Sequence, residues 1–293
     1  MTVKTAAFLG LRLAALTVLL FMLWSLTGVM LGLGESQSSA DEAAAAGALL
    51  GVCALHAIVL SLPIVRSRWF GWRLAIAIFL VYFGIGTFLA QIETIAFLEH
   101  LVEIVPAELI PKFFLQGALV AMLFSPIAVL MHRKFNRREP LQRRGLPPEV
   151  SKSQWLWKAP VIAIIYVFIY YAFGALVFIP LAGAAFDEYY AGLQMPWWMP
   201  VLQVGRALVW TAIAVLVMQM LQRSWKESGL IVALLFSVIM ASMLLIPNPF
   251  MPAVIRQAHF IELLSSNFVF GWVVVWILSR QTQTRPEASA RHA

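Results

Sequence analysis

His259 and Glu262 stand three residues apart in the stretch RQAHFIELLSSN (256–267), with Arg256 three residues before the histidine and Ser266 four after the glutamate. On a helix these four side chains fall on one face, with Asn267 at its edge. A histidine beside a carboxylate can move a proton as an acid–base pair. An arginine can hold a carboxylate or phosphate through two parallel hydrogen bonds. Pro252 suits an early helical position, because the first turn leaves its amide site without a helical partner. The stripe therefore predicts the first turns of a helix that continues into the charge-free run FVFGWVVVWILS (268–279).

Other polar side chains are candidates to meet this stripe: Gln91, Glu93, Gln116, Gln203 and Arg206. A second His-x-x-Glu occurs at His100 and Glu103. Residues at i and i+3 can ligate one metal, with Glu93 as a third ligand, but so short a pattern arises by chance. No metal or cofactor is assigned from it. The sequence contains no H-E-x-x-H, phosphate-binding glycine loop or G-x-S-x-G. It also lacks the Glu-Glu pair and the Phe-x-x-x-His of the CAAX-type intramembrane proteases.

The elements that must position these groups follow from composition. Of 293 residues 61% are hydrophobic and 12% charged, against about 25% charged in a soluble domain. Mean hydropathy is +0.85. The apolar residues form long runs without alternation, so the expected fold is all-α, a polytopic transmembrane helical bundle forming one membrane domain over 1–293. Eight spans are predicted, at roughly 9–33, 44–64, 72–92, 113–132, 159–181, 198–221, 228–247 and 253–279. The amphipathic, glutamate-bearing segment 93–111 reads as an interfacial helix. The run from Leu13 to Leu33 is too long for the apolar core of a signal peptide, so the first helix is expected to be retained. The single cysteine, Cys53, excludes an intrachain disulfide and a cysteine-built zinc site.

Charge alternates between successive loops. Arg66, Arg68 and Arg73 mark one, the basic loop 132–158 another, Arg223 and Lys226 a third, and Arg280, Arg285 and Arg291 the tail. The 132–158 loop carries Arg133, Lys134, Arg137, Arg138, Arg143, Arg144, Lys152 and Lys158. The intervening loops carry Glu35, Asp41, Glu42, Glu99, Glu103, Glu108, Asp187 and Glu188. The positive-inside rule puts the basic loops and both termini in the cytoplasm of a bacterial-type inner membrane, with 281–293 a disordered tail. The net charge of +7 then reads as lipid-facing anchors rather than a nucleic-acid surface.

Counting inward from those anchors at about 1.5 Å per residue puts Gln91, Glu93, Gln116, Gln203, Arg206, His259, Glu262 and Asn267 in one layer near the outer face, from four helices. Polar stripes on membrane helices turn toward protein or water. Arg206 and Arg256 are expected either to pair with Glu93 and Glu262 or to attract an anionic ligand. His56, near the middle of the second span, is expected to hydrogen-bond a neighbouring helix. Tyr166, Tyr170 and Tyr171 read as packing residues, and Trp197 and Trp198 as an interfacial belt. Gly28/Gly32 and Gly47/Gly51 predict close packing of the first two spans. Loose matches of 66–81 to 222–238 and of 24–33 to 170–179 raise a 4+4 parallel repeat.

The function expected from this layer is transport or binding of a small anionic or lipid-like molecule in an outward-facing cavity. Gln91, Gln116, Gln203, Arg206, Arg256 and Asn267 would bind it. Glu93 or Glu262, with His259, would take up a proton. The alternatives are an enzyme acting on a lipid or lipid-linked substrate from the outer leaflet, with Glu93, His259 and Glu262 catalytic, and an accessory subunit in which the layer only locks helices.

Overall fold

A computed structural model describes residues 3–33, 39–96, 106–135, 152–191, 195–221 and 223–280. Residues 136–151 of the basic loop, the His100/Glu103 pair and the tail from 281 lie outside the described residues, as does 97–105 of the segment read as interfacial. Every regular element described is helical.

Among the described residues, eight helices are long and apolar enough to cross a bilayer: Ala7–Met30, Glu42–Arg66, Gly71–Ala96, Leu109–Met131, Gln154–Ala182, Met199–Leu221, Trp225–Leu245 and Ala253–Ser279. These are the eight predicted runs, with ends moved by a few residues. The third extends through Gln91 and Glu93 to Ala96, so the start of the segment read as interfacial belongs to a span. There Glu93 meets the buried Arg206 of the sixth span.

The seventh and eighth spans form the tightest pair. A Cβ on Gly271 would lie 2.7 Å from the Cα of Ala233, so only glycine permits this backbone approach. The third and fourth spans meet where Thr87 occupies the space of a Cβ on Gly117. The predicted glycine pairs behave differently. A Cβ on Gly28 would lie 3.3 Å from Gln116 Nε2 of the fourth span, while Gly47 and Gly51 have open space beside them. Glycine spacing marked a thin helix surface but did not specify its neighbour.

Two spans contain a π-helical turn, Gly84–Phe88 in the third and Gly174–Phe178 in the fifth. Each inserts an extra residue into the helical repeat and re-aims the side chains beyond it. Both lie just before the polar layer that holds Glu93 and Arg206. At the basic ends, backbone bonds tie the turn after the second span to the fourth and sixth. The Arg68 amide donates to Met220 O at 2.9 Å and the Gly71 amide to Lys134 O at 3.0 Å. Lys158, read as a lipid-facing anchor, is 1% exposed. Its Nζ donates to Leu278 O and Arg280 O at 3.1 and 2.7 Å, capping the carbonyls that end the eighth span.

Candidate functional site

Arg206 lies two turns into the sixth span and is 3% exposed. Its Nη1 is 2.8 Å from Glu93 Oε2 and donates to Gln203 Oε1 at 3.0 Å, and Nη2 donates to Leu89 O at 3.3 Å. The π turn of the third span ends at Phe88, so it sets the direction of both Leu89 and Glu93. Arg206 Nε, also buried, has no hydrogen-bond partner. Nor has the buried Gln91 Oε1 on the third span.

The eighth span contributes the other half. The helix starts at Ala253 with Pro252 as its cap residue, and the predicted stripe is helical as expected. His259 Nδ1 lies 3.3 Å from Glu262 Oε2, and its Nε2 lies 2.8 Å from the Tyr190 hydroxyl. The imidazole stacks on Phe178, with centroids 3.8 Å apart and planes 14° from parallel. Glu262 is 6% exposed and lies in the electrostatic field of both Glu93 and Arg206. Tyr170, from the fifth span, lies in the electrostatic field of Glu93 and Arg206. Tyr166 accepts a bond from Trp210 Nε1 at 3.2 Å beside the same arginine.

Five of the predicted side chains thus converge: Glu93, Gln203, Arg206, His259 and Glu262. Others turn elsewhere. Gln116 donates to Trp24 O of the first span at 3.1 Å. Asn267, 5% exposed, donates to Leu263 O of its own helix at 2.9 Å. Arg256 donates to Met251 O at 3.2 Å and stays with the loop before its helix. The expected pairing of Arg206 with a carboxylate is present; the partner of Glu262 is His259 rather than Arg256. Tyr170 and Tyr166, read as packing residues, reach the cluster, while Tyr171 is 38% exposed.

Sequence reasoning missed Tyr190 and Phe178. Phe178 is the last residue of the second π turn and Tyr190 caps the short helix that follows it, and no spacing rule anticipates where a π turn aims its side chains. The short helix Ala184–Tyr189 begins after Gly183, whose φ of 55° favours glycine. Phe186, Tyr189 and Tyr190 fold over Phe178, Ile255 and Ala258, and the Tyr189 hydroxyl donates to Phe250 O at 2.8 Å. This segment roofs His259. Burial and the nearby charges of Tyr189, Glu93 and Glu262 push the Tyr190 hydroxyl above the usual tyrosine range, so it stays protonated.

A separate polar cluster joins four spans deeper in the bundle. His56 bonds the Tyr82 hydroxyl through Nδ1 at 3.0 Å and Ser242 Oγ through Nε2 at 2.7 Å. Trp24 Nε1 donates to Tyr82 at 3.2 Å. Both ring nitrogens of His56 are satisfied, in line with the expected helix-to-helix bond.

Among the described residues, no group of three or more His, Cys, Asp or Glu side chains could hold a metal ion. The chemistry available to the Arg206 cluster is anion binding at a guanidinium and proton exchange at a histidine–carboxylate pair. The chain matches no family model, no curated protein and no solved structure.

Proposed function

We propose that this multi-pass membrane protein binds, and most directly transports, a small anionic or lipid-like molecule at the outer cluster, with Arg206 as its anion anchor. The observation that carries this reading is the state of Arg206. It is almost fully buried, yet one of its N–H groups is unpartnered. A buried donor left unmade costs about 1–3 kcal/mol, and a ligand oxygen would recover it. Glu93, whose side chain is 26% exposed, is the group such an anion displaces. Gln91, with its unpartnered Oε1, sits on the same span to receive a donor. Gln116, Arg256 and Asn267 would join only after rearrangement. In this reading the basic loops and both termini are cytoplasmic in a bacterial-type inner membrane, and the cluster faces outward.

The test is thermal unfolding in lipid nanodiscs with inorganic phosphate, acetate and a short-chain phosphatidate as probes. At least one should raise the midpoint of the wild type and of Arg256→Gln but not of Arg206→Gln. Equal shifts in all three would remove Arg206 as the anchor.

One observation favours a second reading, an enzyme acting on a lipid-linked substrate at the outer leaflet. The chain from the Tyr190 hydroxyl through His259 to Glu262 orients the imidazole by a carboxylate, as a general base requires. Turnover of a lipid-linked substrate that vanishes in Glu262→Gln, with the fold intact, would favour it. Loss of thermal stability alone would favour the accessory-subunit alternative.

A further inference from the structure

The Arg206 cluster contains one permanent cation and two carboxylates. Glu93 takes the arginine. Glu262, with its side chain 8% exposed, has no lysine or arginine partner among the described residues and faces His259 at 3.3 Å. A carboxylate this buried is not left ionised without a compensating charge. We propose that the His259–Glu262 pair holds one proton, and holds it because a single arginine serves two carboxylates. The inference rests on the reading of this cluster as the functional site and assigns its protonation.

The surroundings agree. The groups facing the pair are Tyr190 from the segment after the fifth span, Tyr166 from the fifth span, Glu93 from the third and Arg206 from the sixth. None of the tyrosines supplies positive charge, so the balance is settled by Arg206 and one added proton. Whether that proton rests on the imidazole or on Oε2, the contact at Nδ1 is kept: an imidazolium donates to the carboxylate, and a carboxylic acid donates to the imidazole. In both forms Nε2–H donates to Tyr190. Without the proton, Nδ1–H still donates to Glu262, Nε2 accepts from Tyr190, and the carboxylate charge is uncompensated. Stacking on Phe178 also favours the cationic ring. The proton comes from outer water at His259, whose side chain is 23% exposed; one N–H or O–H bond forms as hydronium gives up its own. When the pair loses the proton, Glu262 competes with Glu93 for Arg206, and the unpartnered Nε–H gives the guanidinium a spare donor for the exchange.

The test counts protons in ligand-free protein in nanodiscs at neutral pH. Ring-nitrogen shifts of 15N-labelled His259, assigned by their loss in His259→Asn, report imidazolium. The infrared carbonyl band of a protonated carboxylic acid reports the alternative. Wild type should show one proton on the pair. Glu93→Gln should show none, although Glu93 makes no hydrogen bond to either residue, because Arg206 is then free to balance Glu262. Arg206→Lys should keep the single proton. An unprotonated pair in wild type, or the same count in wild type and Glu93→Gln, would overturn the proposal. Probe binding plays no part in this measurement, so the anion-site reading can fail while the proton count stands, and the reverse.

Discussion

At the scale of single residues, Arg206 and Glu93 show why a buried charge is informative. Breaking a buried pair by removing one partner typically costs about 3–5 kcal/mol, because the other charge is left uncompensated. Arg206→Gln should therefore lower the thermal unfolding midpoint strongly, by roughly 3 kcal/mol of stability in a denaturation series. Glu93→Gln should cost clearly less if Glu262 takes over the arginine; equal losses would argue against that exchange. A second residue-scale prediction concerns His132, just beyond the fourth span. Ser61 donates to Ala57 O at 2.6 Å, so its oxygen accepts from His132 Nε2 at 2.8 Å, and Nδ1 is buried without a partner. Burial, with the Arg12 guanidinium adding to it, lowers this imidazole to about 4 from 6.5. The unfolded chain binds the proton first, so stability is full above pH 6.5 and declines as pH falls toward 4, by at most roughly 3 kcal/mol. His132→Gln should flatten that part of the profile, and an unchanged profile would contradict it. The cluster was partly legible in the sequence, because counting from basic anchors fixes depth. Depth places Glu93, Arg206 and Glu262 together but says nothing of azimuth, so it also gathered Gln116 and Asn267, whose side chains point elsewhere.

At the scale of elements, backbone proximity decides which glycines matter. Gly271→Ala would push a methyl into the Ala233 backbone, while the corresponding methyl at Gly229 would meet the Trp272 ring at 3.5 Å or beyond, an ordinary contact. Gly271→Ala should cost about 1–3 kcal/mol and Gly229→Ala far less, measured as a difference in unfolding midpoint. Similar values would mean the two spans can slide apart without penalty. Neither the glycine spacing nor the hydropathy profile separates these positions. The π turns were equally hidden: Gly84 and Gly174 begin them, yet in sequence each is one more small residue in an apolar run. Their effect is to aim Leu89 and Glu93 at the sixth span and Phe178 at the eighth.

For the whole molecule, the eight spans were legible because the bilayer imposes a length and an apolar composition on each. Arg66, read from the sequence as a lipid-facing anchor, pairs with Glu227 at 3.1 Å, joining the second and seventh spans. The proposed site is polar, opens to the outer side and binds an anion. His259→Cys in a Cys53→Ser background makes the rim residue the only thiol, and a membrane-impermeant maleimide added to right-side-out vesicles reads its access. Labelling should proceed from outside and slow when the probe stabilising the wild type is present. Labelling only from the cytoplasmic side, or an outside rate indifferent to every probe, would contradict it.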